Sequence, residues 1–160
     1  MSLSEASRVE RLRAILSGAE PAGVKTAIGD DAAVLDSPGQ PLVWSVDAQV
    51  EGVHFKRDWL DWADIGYRAT MAAASDLAAM GATPLGVLAA LVLPSDVDDD
   101  ALFAIARGQR EAADALGTAV IGGNLARGAE LSITTTVLGA SSEPMKRTGA
   151  RAGDAIWLAG

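Results

Sequence analysis

The sequence predicts an α+β domain: a mixed β-sheet with helices packed on one face. Three observations predict it. Three segments read as helices, the first from apolar residues at three- and four-residue steps and the others from their capped starts and Gly ends, and short aliphatic or β-branched runs elsewhere carry the strand signature. These segments follow one another as α, ββ, α, β, α, β, β, an order that suggests layers of helix on sheet. The chain of 160 residues is 49% hydrophobic and 21% charged, an ordinary globular mix for about one domain with a core of its own. Aromatics are only 4%, so Ala, Val, Leu and Ile must fill that core.

Taken in order, Ser4 to Leu16 reads as a helix, capped by Ser4, with Val9, Leu12 and Leu16 on one face. Thr26 to Asp31 is turn-like. Ala32–Leu35 and Leu42–Val46 read as strands joined through the Ser37–Gln40 turn signal, so a hairpin is expected. Asp61 to Met80 is a second helix, with Gly81 at the left-handed position after its end. Gly86 to Leu93 is a continuous apolar strand closed by Pro94, suited to the middle of a covered sheet. Ser95 is expected to cap a third helix running to Leu116, whose acidic first turn suits the helix dipole. Thr118–Ile121 reads as a short strand followed by a Gly-Gly-Asn turn, Leu131–Leu138 as a β-branched strand, and Ala155–Leu158 as the start of another.

Composition excludes several functions. Thirteen Lys and Arg against 21 Asp and Glu leave a formal net charge of −8, opposite to the basic footprint of a nucleic-acid binder. There is no Cys, so disulfides, thiol catalysis and Cys-ligated zinc are ruled out, and one His cannot build a His-rich metal site. The first sixteen residues carry charges throughout with no apolar stretch of the signal-peptide kind, and no apolar run is long enough to span a bilayer. Lack of Cys fits the cytoplasm, and a soluble intracellular chain without a membrane partner is expected.

Five short motifs carry potential chemistry. Gly29-Asp30-Asp31 precedes a strand; alone it reads equally as a solvated turn. Ser45-Val46-Asp47 places a carboxylate at the end of an apolar strand, where burial without partners is costly, although it could also cap the next turn. Glu51 to Phe55 holds the only histidine, His54. Asp76 lies inside a helix of small apolar residues, a setting that demands a cation or hydrogen bonds if the carboxylate is buried. Gly122-Gly123-Asn124 could bring backbone N–H groups up to a phosphate. Separated carboxylates at element ends, with a Gly-Gly turn, suit Mg²⁺, which bridges carboxylates to substrate phosphates. Like charges gathered without a metal would repel one another, so a metal is the simplest way for such carboxylates to share a site, and metals would let an acidic protein bind a nucleotide.

The segments IGDDAAVL, SVDAQVEGVHF, SDLAAMGATPLGVLAALVLP, IGGN and KRTGARAGD occur in this order. Together they resemble the N-terminal half of the thiamine-monophosphate kinase family, within the aminoimidazole-ribonucleotide-synthetase-like superfamily. The resemblance runs from about Ile28 to Gly160. It implies the N-terminal domain of that fold over 1–160, and transfer of the ATP γ-phosphoryl group to thiamine monophosphate, giving thiamine diphosphate and ADP. The acceptor is itself a phosphate oxygen, so positioning and Mg²⁺ neutralisation carry most of such a reaction. By motif, the resemblance implies Asp30, Ser45, Asp47, Asp76 and Asn124 as magnesium ligands, with Asp31 as a further member of the cluster. It also implies Gly123, Asn124 and Arg147 as contacts to ATP, His54 as a contact to the thiamine substrate, and a homodimer formed through the sheet.

Two departures stand out. The family commonly reads Gly-Gly-Asp-Thr-Thr where this chain has Gly122-Gly123-Asn124-Leu125-Ala126, and a neutral Asn holds Mg²⁺ less strongly than a carboxylate. The position before Asp47 is often Thr and here is Val46, which leaves only a backbone carbonyl. Family members also continue into a second α/β domain that completes the site, so this chain is expected to be one part of a longer protein and a poor kinase by itself. Two alternatives stay open: an ATP-dependent superfamily member with another acceptor, and a non-catalytic dimerising nucleotide-binding domain.

Overall fold

A computed structural model describes residues 3–18 and 21–156. Three helices, α1 (Glu5–Leu16), α2 (Trp62–Ala79) and α3 (Asp99–Ala115), accompany six strands: β1 (Val24–Thr26), β2 (Val34–Leu35), β3 (Leu42–Val50), β4 (Thr83–Leu93), β5 (Val120–Arg127) and β6 (Ser132–Ala140). The main sheet has the order β3-β6-β4-β5. β6 lies antiparallel to both β3 and β4, while β4 and β5 run parallel, so the sheet is mixed as expected. A parallel pair needs a crossover, and α3 makes it.

Strand alternation decides the layers. On β4, Val87, Ala89, Leu91 and Leu93 point to one face and are buried, and on β6 Ile133, Thr135 and Val137 do the same. Helices α2 and α3 cover this face with Ile65, Ala69, Ala73, Leu77, Leu102 and Ile105. The two helices approach closely because each offers a glycine to the other's backbone. A Cβ on Gly66 would sit 2.0 Å from the carbonyl oxygen of Ile105, and one on Gly108 would sit 1.8 Å from that of Ala63. α1 packs outside α3 through Leu12 and Leu16 and through an ion pair between Arg8 and Asp99. Arg110 of α3 donates to the Ser17 carbonyl, satisfying an acceptor at the end of α1.

Four sequence expectations are corrected. The expected hairpin does not form: the chain only bends at 39–40, and β2 pairs with β1 while β3 pairs with β6. β3 and β6 match over nine residues each, whereas β2 offers only two, so the long partner wins. Asp98, not Ser95, caps α3; Pro94 to Val97 forms a turn that buries Val97, which leaves the Asp98 carboxylate to accept from the Ala101 N–H at 2.8 Å. Gly122-Gly123-Asn124 lies inside β5 rather than in a turn, because pairing with β4 continues to Arg127 and satisfies the backbone through the glycines. A Cβ on Gly123 would fall 2.0 Å from the Ala89 carbonyl oxygen, so the closeness of β4 by itself requires this glycine. The strand expected from Ala155 is not seen at Ala155 and Ile156, and its remainder, 157–158, lies outside the described residues. Gly81 does take the left-handed conformation after α2, at φ +64°.

Candidate functional site

β3 is an edge strand whose inward face runs Val43, Ser45, Asp47, Gln49. Period-two alternation alone turns these four toward α2. Near its C-terminal end α2 presents Asp76, whose Oδ2 accepts from the Ser45 hydroxyl at 2.5 Å. Asp76 is exposed, not buried as its apolar helix suggested, because it sits on the rim between helix and sheet edge rather than on the face that packs. Asp47 is half-buried and lies in the middle of β3, not at its end, since the strand continues to Val50. Its Oδ2 accepts from Gln49 Nε2 at 3.1 Å. Each carboxylate therefore has one oxygen held and one without a partner among the described residues.

The loop carrying Lys146 and Arg147 comes to this same end of α2. The Met145 N–H donates to the Met80 carbonyl at 3.0 Å, and a turn follows in which Gly149 N–H donates to the Lys146 carbonyl. Arg147 is exposed, two residues beyond Met145, whose anchor at Met80 lies just past the end of α2.

His54 sits at the other end of β3. Its Nδ1 accepts from the Val50 N–H at 3.0 Å, which in the neutral ring leaves Nε2 as an outward donor. Arg68 of α2 donates to its carbonyl. Val50 lies three residue steps along the strand from Asp47, roughly 10 Å. The His54 loop is pinned by Arg57, which bonds Glu51 and, at 2.8 Å, Asp96, and lies over the Trp62 ring. Hydrogen bonds to Glu51 and then Asp96 raise the Arg57 pKa, and the same guanidinium lowers that of Asp96.

The remaining predicted residues lie on the opposite face of the sheet. Asn124 is the register partner of Ala90 and shares a concavity of about 530 Å³ with Asp30, Asp31, Trp44 and Thr134. Asp31 N–H donates to Asp30 Oδ1 at 2.8 Å. The expectation that Asp30, Asp47 and Asp76 converge is thus not met within one copy of the chain. Among the described residues no group of three or more carboxylates or histidines is arranged to hold a metal ion. The sheet itself separates them: Ser45, Asp47 and Asp76 flank the helix-covered face, while Asp30, Asp31 and Asn124 border the open one. Gln49 escaped the sequence reading, although alternation from Ser45 and Asp47 would have found it.

The donor set on β3 and α2 is all oxygen: two carboxylates and a hydroxyl, with free carboxylate oxygens. That fits a hard divalent cation such as Mg²⁺, which takes one or two carboxylates and completes its shell with water and phosphate oxygens.

This fold and this site define a class. The chain belongs to the family described as AIR synthase related protein, N-terminal domain, which it matches over residues 29–141. Within that class its likeness is to thiamine-monophosphate kinases. It is 40% identical over 146 residues to the thiamine-monophosphate kinase of Rhodopirellula baltica, covering 86% of this chain and 46% of that protein. The solved thiamine-monophosphate kinase of Stenotrophomonas maltophilia K279a superposes with a TM-score of 0.78 at 36% identity, covering 96% of this chain and 48% of that one. AaThiL complexed with AMPPCP and TMP has a TM-score of 0.70 at 27% identity, over 96% and 48% of the two chains. The chain spans under half the length of the curated relatives it matches.

Proposed function

We propose that residues 1–160 form the ATP- and magnesium-binding domain of a cytoplasmic thiamine-monophosphate kinase, the remaining length of its relatives supplying the other side of the site. The observation that carries this reading is the pairing of Ser45 with Asp76 beside Asp47, an oxygen-only cluster at a sheet edge. The similar kinases support it, as does AaThiL in its complex with AMPPCP, an analogue of ATP, and TMP. Mg²⁺ bound there supplies neutralisation of the phosphate charge. The chain's own residues do the rest. Asp47 and Asp76 would hold the cation, with the Ser45 hydroxyl orienting Asp76. Arg147, carried to the same end of α2, meets phosphate oxygens. His54, roughly 10 Å along the strand, donates from Nε2 to the organic part of the acceptor. A phosphate oxygen of thiamine monophosphate attacks the γ-phosphorus, the new P–O–P bond forms as the β–γ bridge breaks, and ADP leaves. An ionised phosphate oxygen is already a nucleophile, so no strong general base is required.

The open face completes the reading. Trp44 is 70% exposed and Val46 60%, next to Leu42 and Leu88, an apolar surface suited to a second copy of this chain. A homodimer through it would bring Asp30, Asp31 and Asn124 to the interface.

Titration calorimetry of MgATP into the chain tests the proposal. Asp47→Asn and Asp76→Asn are each expected to weaken binding at least tenfold, since each removes charge that holds the cation. Equal affinity in all three proteins overturns it.

A further inference from the structure

Gln49 is 5% exposed and faces the covered core, with Ile133 as its register partner. An apolar side chain would fill that place without difficulty. Gln49 instead leaves its own Oε1 buried and unpartnered. Thr135, directly opposite Asp47 in register and fully buried, also has an unpartnered hydroxyl. Buried polar atoms left without partners are unfavourable for folding, so a polar side chain kept at such a place calls for a reason. The one hydrogen bond the Gln49 side chain makes is the donation to Asp47 Oδ2.

We propose that Gln49 is a positioning residue for Asp47: from inside the core it holds one carboxylate oxygen and so presents the other toward the Ser45–Asp76 pair. The inference rests on the reading of Asp47 as a metal ligand. Ser45 does the matching work on Asp76, by the same device of tying one oxygen and leaving the other open. The difference lies in direction. Ser45 acts from the strand across to the helix, whereas Gln49 acts along its own strand from the buried side. Partners outside the ligand shell that orient a ligating carboxylate commonly carry ten- to a hundredfold of metal affinity. Thr135, whose hydroxyl can rotate, is the second polar group at the buried side of Asp47.

The test is Mn²⁺ binding by the chain, followed by calorimetry or by loss of the free-ion electron-spin signal, alongside the thermal midpoint without metal. Gln49→Leu and Gln49→Met, which remove the donor at similar size, are expected to weaken Mn²⁺ binding about tenfold. The metal-free midpoint should hold or rise, because an unsatisfied buried amide is gone. Adding Gln49→Leu to Asp47→Asn should cause no further loss, as groups acting through one another do not add. If both Gln49 variants bind Mn²⁺ as tightly as the unaltered chain while Asp47→Asn loses it, the positioning role is overturned and the metal site stands. If Asp47→Asn binds Mn²⁺ undiminished, the metal reading and the inference fall together.

Discussion

The two faces of the main sheet are built from the same strands and share an apolar character, yet one is closed and the other is bare. On the covered face, Val87, Ile133 and Val137 are buried under α2 and α3. On the open face the intervening residues Trp44, Val46 and Leu88 stand in solvent. Alternation along a strand forces this division: every residue turned toward the helices places its neighbours on the opposite side. A half-covered antiparallel strand ordinarily turns polar residues outward. β3 turns Trp44 and Val46 outward instead, while its inward row carries Ser45, Asp47 and Gln49. The usual polarity is inverted on this one strand. The inversion places the polar candidate site at the seam with α2 and leaves the outer apolar row for another surface to cover.

The sharpest way to break the comparison is to truncate one side chain on each face. Ile105 of α3 is wholly buried above the covered face, and Ile105→Ala is expected to cost about 2–5 kcal/mol through lost transfer and an unfilled cavity. Leu88, 38% exposed on β4, should cost under about 1 kcal/mol when replaced by Ala in dilute protein, since little area returns to water. Urea unfolding at low micromolar concentration reads both. Equal costs would mean that the open face is already covered in the single chain.

Concentration then separates bare from covered by a partner. Trp44→Ser should change the unfolding free energy of dilute protein by no more than about 0.5 kcal/mol, as for a surface change. It should also abolish the self-association that the homodimer reading expects of the unaltered chain, as read by sedimentation at high concentration. An unaltered chain that stays monomeric at high concentration defeats the homodimer reading and leaves the outward apolar row of β3 without an account.

Much of this was legible in the sequence, and what was not has a physical pattern. β4 and β6 were readable because each is a long aliphatic or β-branched run, and the end of α2 because the left-handed position at Gly81 has few chemical options. The partner of β3 was not readable. Turn chemistry at 37–40 says that the chain reverses, but pairing is decided by which distant strand offers the longer match. Gly122-Gly123 misled for a related reason: glycine signals a turn locally, whereas here the neighbouring strand requires it. Asp30, Ser45, Asp47, Asp76 and Asn124 could be picked out as motifs, but motif order carries no information about which side of a sheet each will occupy. Gln49 lacked any local signal beyond parity with Asp47.

The covered side has an outer layer of its own, and it is held differently from the core beneath. α1 buries only Leu16 fully, and its N-terminal end is fastened by charge: the Asp99 carboxylate accepts from the Leu3 N–H at 2.9 Å and pairs with Arg8. The backbone bond from Leu3, then Arg8, lowers the Asp99 pKa from its ordinary 3.8. A carboxyl group lowered in the folded state contributes stability that is complete above its unfolded value and is lost as pH falls through the folded one. The fastening should therefore be intact at neutral pH and release only in acid below 3.8, while among the described residues no carboxylate is fully buried in the core under α2 and α3. Amide NMR spectra recorded down the pH scale should show the Leu3 resonance moving with a midpoint below 3.8, ahead of any change at Ile105 or Ile133. A Leu3 midpoint at or above 3.8, or one shared with the core, would show that α1 is fastened by apolar contact like the layer beneath it.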